Sequence, residues 1–246
     1  MSPEDNMSNS PDFSPSDSPT MQSLVLPVEV IEGIIDCCSY YTDTLLAFAL
    51  TCRDLHPRSI LVLFTEVRLR SRDRVLDFCD VLKAKPERQS IVQSLSLRWE
   101  AFAPHPLLSI LSALRQITFG GRVCDPVQCH PSTLLCCRQS GSGLRSLTIQ
   151  GATFPTCTAF LHFLSAFHSI EHLTCEGLQL KQKGEANPFV QHQLSRQLRL
   201  RTLNVLLSVN EEITKSLLGI APPPETTRSL HTLNHRRSYL IFSYSS

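Results

Sequence analysis

In the stretch Leu144-Arg145-Ser146-Leu147-Thr148-Ile149-Gln150, Leu147 and Ile149 alternate with Ser146, Thr148 and Gln150, the period-two pattern of a strand buried on one face. Leu144 adds an apolar anchor three residues ahead of Leu147. The same spacing returns as Phe64/Val67/Leu69, Val92/Leu95/Leu97, Leu114/Ile117/Phe119, Ile170/Leu173/Cys175, Leu200/Leu203/Val205 and, more weakly, Leu230/Leu233. Counting the Leu144 unit, successive starts lie 28, 22, 30, 26, 30 and 30 residues apart. A recurrence of roughly 20 to 50 residues is the mark of stacked repeats, each too small to bury its own apolar face.

Segments with helical spacing lie between these units. Residues 73–83 carry Val75, Leu76, Cys79 and Leu82; residues 105–113 carry Leu107, Leu108 and Leu111; residues 156–167 carry Phe160, Leu161, Phe163, Leu164 and Phe167. Phe189, Val190, Leu194 and Leu198, then Ile213, Leu217 and Leu218, supply weaker counterparts. Gly120-Gly121, Gly141-Ser142-Gly143 and Pro222-Pro223-Pro224 punctuate the connections. The alternation predicts an α/β solenoid over 64–220, with parallel strands along one side and helices along the other. Residues 221–246 read as a weak last repeat or an irregular C-terminus. Terminal repeats need a polar outer face, and Tyr239-Leu240-Ile241-Phe242 is apolar, so this end reads as a truncated array or an imperfect gene model. The unit resembles the leucine-rich repeat. It departs from that family in lacking the recurrent Asn or Cys after each strand, where Ala152 and Leu178 fall instead.

Side chains flanking the inward leucines point to the opposite face. They form a mixed polar set, and solenoids commonly hold partners on such a surface where it is concave. The candidate target-binding residues are Arg68, Arg98, Gln116, Thr148, Gln150, His172, Glu176 and Asn204. A plain solvated face is the alternative.

Ahead of the repeats, residues 26–64 read LPVEVIEGIIDCCSYYTDTLLAFALTCRDLHPRSILVLF. Pro27 suits the first position of a helix, where its missing N–H has no intrahelical partner. Val30, Ile31, Ile34, Ile35 and Cys38 form an apolar stripe backed by Glu32, Gly33 and Asp36. Asp43 is the expected N-cap of a second helix carrying Leu45, Leu46, Ala49 and Leu50. A third begins near His56, with Pro57 in its first turn. Three short helices bury little on their own, so the unit wants a partner.

Leu26, Pro27, Glu29 and Val30, the Ile34/Ile35 pair, Leu45-Leu46 and the run Leu50-Thr51-Cys52-Arg53 resemble the F-box, in the divergent form abundant in fungal proteins. Residues 23–63 carry the resemblance; Leu55 stands where many members have a tryptophan, and the connection from Cys37 to Thr42 is long. An F-box followed by leucine-rich repeats implies the substrate-recognition subunit of a Skp/cullin/F-box ubiquitin ligase. Such a subunit docks a Skp-family adaptor and, through it, a cullin, and performs no bond chemistry itself. The resemblance places adaptor contacts at Leu26, Pro27, Val30, Ile31, Ile34, Leu45, Leu50 and Leu55. An intracellular leucine-rich-repeat scaffold or protein-binding module without ligase association, its head a helical cap, is the alternative.

A net charge of +1 argues against nucleic acid as a partner. The ten cysteines fall mostly within apolar helical patterns, where thiols act as small hydrophobes. No apolar run is long enough to cross a bilayer and no signal peptide is evident, so a cytoplasmic or nuclear protein is expected. Residues 1–22, rich in Ser, Pro, Asp and Asn, are expected to be disordered. Their pairs Ser2-Pro3, Ser10-Pro11, Ser14-Pro15 and Ser18-Pro19 suit proline-directed phosphorylation, an unmodified soluble linker being the alternative. Cys124, Cys129, His130, Cys136 and Cys137 offer zinc-type ligands but lack a Cys-x-x-Cys pair. No phosphate-binding loop or RING-type Cys/His ladder is present, and no cofactor is expected.

Overall fold

The computed structural model describes residues 26–98, 105–121, 131–182, 184, 187–206, 208–220, 228–229 and 240–243. Three helices open it: α1 (Val28–Cys37), α2 (Thr42–Thr51) and α3 (His56–Thr65). Pro27 sits one place before α1, at the N-cap, and its carbonyl accepts from the Val30 and Ile31 N–H groups at 3.0 and 3.2 Å. Tyr41, not Asp43, occupies the N-cap of α2. Asp43 lies in the first turn, where its carboxylate favours the positive end of the helix dipole without bonding a free N–H. Pro57 falls in the first turn of α3, as its geometry requires.

Ile35, Leu45 and Ala49 form the small interior of this head, with Ser59 of α3 fully enclosed beside them. Two polar ties add direction. His56 Nδ1 lies 2.7 Å from the Ala49 carbonyl oxygen, and Arg58 Nε donates to Asp36 Oδ1 at 2.8 Å, joining α3 to α1. The guanidinium holds the Asp36 carboxyl below its ordinary pKa. The stabilisation from this tie is therefore present above the ordinary carboxylate range and lost as pH falls through the lowered value.

α3 runs directly into the first strand, β1 (Glu66–Leu69). Then follow α4 (Arg72–Ala84), a 3-10 turn (Pro86–Ser90), β2 (Ser94–Arg98), α5 (His105–Leu108), β3 (Gln116–Gly120), α6 (Pro131–Ser140) and β4 (Ser146–Gln150). The chain continues as β5 (Thr153–Phe154), α7 (Cys157–Leu164), β6 (His172–Glu176), β7 (Gln179–Leu180), α8 (Pro188–Gln197), β8 (Thr202–Val205) and α9 (Glu211–Ile220). Two short strands, β9 (Arg228–Ser229) and β10 (Leu240–Ser243), complete the described part.

Six strands, β1, β2, β3, β4, β6 and β8, pair in parallel in chain order, alternating with helices. Val67, Leu95, Ile117, Leu147, Leu173 and Leu203 stand in one row across the sheet. Leu69, Leu97, Phe119, Ile149, Cys175 and Val205 stand in the next. Both rows are buried in one continuous core with Val75, Cys79 and Leu82 of α4, Leu107 of α5, Phe160 of α7, Leu194 of α8 and Ile213 of α9. The helices thus cover the inward face, as parallel strands joined by crossovers require.

Capping residues fix several helix starts. Ser71 Oγ accepts from the Arg74 N–H and Thr156 Oγ1 from the Ala159 N–H, at 3.4 and 3.1 Å. The helix expected over 105–113 stops at Leu108 and passes into turns, although Leu107, Leu108 and Leu111 are all buried. Helix α7 stops at Leu164, and Ala166 and Phe167 beyond it remain in the core.

The C-terminal edge of the sheet is antiparallel. β10 lies antiparallel on β8, pairing Leu240 with Val205 and Phe242 with Leu203, and β9 lies antiparallel on β10. The Leu230/Leu233 unit falls outside the described residues, as do the Ser-Pro pairs of residues 1–22. A second, two-stranded sheet pairs β5 with β7 in parallel. It follows turns at Gly151 and Gly177, whose φ values of 60° and 61° suit a residue without Cβ.

Candidate functional site

Two surfaces emerge from this arrangement. The first belongs to the head. In α1 Ile35 alone is buried, while Val30 and Ile34, one turn apart, are 46% and 48% exposed, and Leu26 just ahead is 49% exposed. Pro27 is exposed as well, and Ile31 is half-buried. Leu50 of α2 is 83% exposed; Leu55 ahead of α3 is half-buried. Leu45 is a correction: at 1% exposure it belongs to the head's own interior and presents nothing to a partner. It lies on the side of α2 shared with Ala49 one turn later, which packs inward with it.

The second surface is the outward face of the parallel sheet. One row of side chains runs Arg68, Ser96, Thr118, Thr148, Thr174 and Asn204; the row towards the strand starts runs Glu66, Ser94, Gln116, Ser146, His172 and Thr202. Over β1 to β4 this face forms an open hollow of about 1050 Å³. Arg68, Arg98, Gln116, Thr148 and Gln150 line it. His172, Glu176 and Asn204 stand on β6 and β8, outside that hollow. The expected set is therefore split between two ends of one face.

Polar demand differs between those ends. At the β6–β8 end, His172 Nδ1 and Thr202 Oγ1 are 2.6 Å apart, Gln150 Nε2 donates to Glu176 Oε2 at 3.1 Å, and Asn204 Nδ2 donates to Thr174 Oγ1 at 3.3 Å. Glu171, just before β6, bridges Arg145 and Arg201 at 3.2 and 3.0 Å. At the β1 end Arg68 Nη2 pairs with Glu66 Oε1 at 2.7 Å, and its guanidinium carbon lies 5.5 Å from the ring centre of Tyr40, which the α1–α2 connection supplies. Tyr40 was invisible to the strand pattern because it comes from the head.

Among the described residues no group of His, Cys, Asp and Glu is arranged to hold a metal. Cys124, Cys129 and His130 fall outside those residues, and Cys137 is buried in the core. Burial pushes the Cys79, Cys157 and Cys175 thiols upward in pKa, leaving them protonated and weakly nucleophilic. Cys37 and Cys52 are exposed. In native protein an alkylating reagent at pH 8 should modify Cys37 and Cys52 while Cys157 and Cys175 stay unmodified until denaturant is added. Peptide mass spectrometry reads the order, and early labelling of Cys175 would contradict the packing described.

Among the described residues no helix is long and apolar enough to cross a membrane. No protein-family model matches the chain, and no curated protein matches it significantly.

Proposed function

We propose that this chain is the substrate-recognition subunit of a Skp/cullin/F-box ubiquitin ligase, with an F-box head and a leucine-rich-repeat solenoid. The observation that carries the reading is the unspent apolar surface of α1. Val30 and Ile34 lie half-exposed on a helix whose sequence is amphipathic, beside the exposed Leu26-Pro27 start. Docking that surface on a Skp-family adaptor would remove the side chains from water at a gain of about 25 cal/mol per Å². The parallel ladder in chain order supports the solenoid, and its outward face is where a target protein binds. Holding the target beside a bound conjugating enzyme raises the effective concentration of its lysines. The chain itself supplies no chemistry.

Purified full-length chain should co-elute with a purified Skp-family adaptor and cullin in size-exclusion chromatography. The Leu26→Ala/Pro27→Ala variant should elute alone with its circular dichroism unchanged. Co-elution of the variant would remove those two residues from the interface; failure of the folded wild type to co-elute would end the receptor reading. A scaffold whose head only caps the array is the second reading. The direct run of α3 into β1 and the Tyr40–Arg68 contact favour it, since both fasten the head to its own sheet.

A further inference from the structure

Where the head meets the array, a crevice of about 190 Å³ is left between α2, α3, β1 and α4. Its walls come from both sides of the junction: Leu45 of α2 with Val62 and Phe64 of α3, then Val67 of β1 and Phe78 of α4. Leu45 and Val67, 1% and 8% exposed, close the floor, and Val62, Phe64 and Phe78 are half-buried above them. Phe64 does not swing in to fill the space because its ring is held elsewhere. Its centre lies 5.8 Å from that of Phe78, and the guanidinium carbon of Arg88 lies 4.7 Å from it. Well-packed junctions leave few voids larger than a water molecule. An apolar space of about 150 Å³ is enough to take a benzene ring, so this crevice has room for one ring with a short substituent.

The rim decides what that substituent is. Ser39, half-buried in the α1–α2 connection, and Thr42, exposed at the start of α2, both line the crevice. Among the described residues neither side-chain hydroxyl has a hydrogen-bond partner, and each can donate or accept. Glu66 and Arg68 supply the charge in the described lining, and they satisfy each other: Arg68 Nε and Nη2 donate to Glu66 Oε1 at 3.0 and 2.7 Å. The rim therefore carries no net charge to draw an ion, and stripping water from one against Phe64 and Phe78 would be costly. An apolar pocket with a few convergent polar groups is the usual form of a small-molecule site.

We propose that this crevice binds a small neutral aromatic alcohol, its ring against Leu45, Val62, Phe64, Val67 and Phe78 and its hydroxyl bonded to Ser39 or Thr42. Such a guest touches the head and the array at once, so its binding fastens one to the other. The site depends neither on the adaptor nor on a target protein.

The test is fluorine NMR of para-fluorobenzyl alcohol titrated with the full chain. The alcohol should bind with a dissociation constant of about 1 mM or tighter and raise the thermal transition as its concentration increases. Two relatives, para-fluorotoluene without the hydroxyl and para-fluorobenzoate with a charge, should each bind about tenfold more weakly. The double variant Ser39→Ala/Thr42→Val should bring the alcohol down to the affinity of the toluene and leave the toluene unchanged. Val62→Phe fills the crevice and should abolish binding of both, whereas Leu218→Phe on α9 should not. No saturation of the folded wild type at about ten times the expected constant, benzoate or toluene binding as tightly as the alcohol, or full affinity in a folded Val62→Phe chain would overturn the proposal. Should Val62→Phe not fold, the double variant decides, and unchanged alcohol affinity in it overturns the proposal.

Discussion

Phe163→Ala should cost about 3–5 kcal/mol of folding free energy. Phe163 is buried and its ring centre lies 5.2 Å from Phe167 and 5.7 Å from both Phe119 and Phe154. Phe119 belongs to β3 and Phe154 to β5, while Phe163 lies on α7. The ring therefore joins a helix to both sheets, and its removal leaves a cavity whose walls are held by separate elements. Such walls collapse poorly, which places the cost high in the range for buried aromatic deletions. Aromatic pairs add to the loss beyond area alone. Phe163→Leu, which keeps aliphatic bulk and loses the ring contacts, should cost less. Urea unfolding monitored by circular dichroism measures both, and an alanine variant within 1 kcal/mol of wild type, on the scale of ordinary mutations, would mean the cluster is not packed as described.

Ile34→Asp should separate folding from docking. Ile34 is about half exposed, one turn after Val30, and the interior of the head is reached from α1 by Ile35. A surface substitution of this kind changes stability by about 0.5 kcal/mol or less. Buried in an interface, the same carboxylate would lose its hydration without gaining a partner. Loss of a central apolar contact typically costs about 2 kcal/mol or more in binding, roughly thirtyfold in Kd. The expected result is a thermal transition close to wild type with adaptor binding reduced at least that far. Unchanged adaptor affinity in a folded Ile34→Asp protein would take α1 out of the interface and leave the exposed stripe unexplained.

The parallel strands were legible because each of them puts the same two positions inward against the helices. That constraint writes Val67/Leu69, Leu95/Leu97 and their successors into the sequence at fixed spacing, and the register across the sheet follows it. Which face of α2 is buried was not legible. Leu45 through Leu50 are apolar throughout, so the sequence offers no polar side to distinguish the buried Leu45 from the exposed Leu50. The N-cap of α2 misled for a related reason: Asp43 suits both the cap and the first turn, and only backbone geometry chooses between them.

The C-terminal strand is a third case. Leu240-Ile241-Phe242 reads as a strand in either direction, and its antiparallel seat on β8 depends on where the preceding connection delivers it. The second small sheet, by contrast, left a sign that the leucine pattern obscured. Gln150-Gly151-Ala152-Thr153-Phe154 and Glu176-Gly177-Leu178-Gln179-Leu180 share a polar residue, a glycine and alternating apolar positions. Gly151 and Gly177 turn the chain so that the Ala152 carbonyl accepts from the Gln179 N–H at 2.9 Å. Charge on the polar face was half legible: the pattern exposes Arg68 and Arg98, but the compensation of Arg145 and Arg201 by Glu171 involves residues just ahead of their strands.

The central claim is that the head docks a Skp-family adaptor, and isothermal titration of purified adaptor into the wild-type chain tests it most directly. The account predicts one-to-one binding with a negative heat-capacity change, the signature of apolar surface removed from water. Absence of binding by a chain whose circular dichroism and cooperative unfolding establish that it is folded would contradict the account.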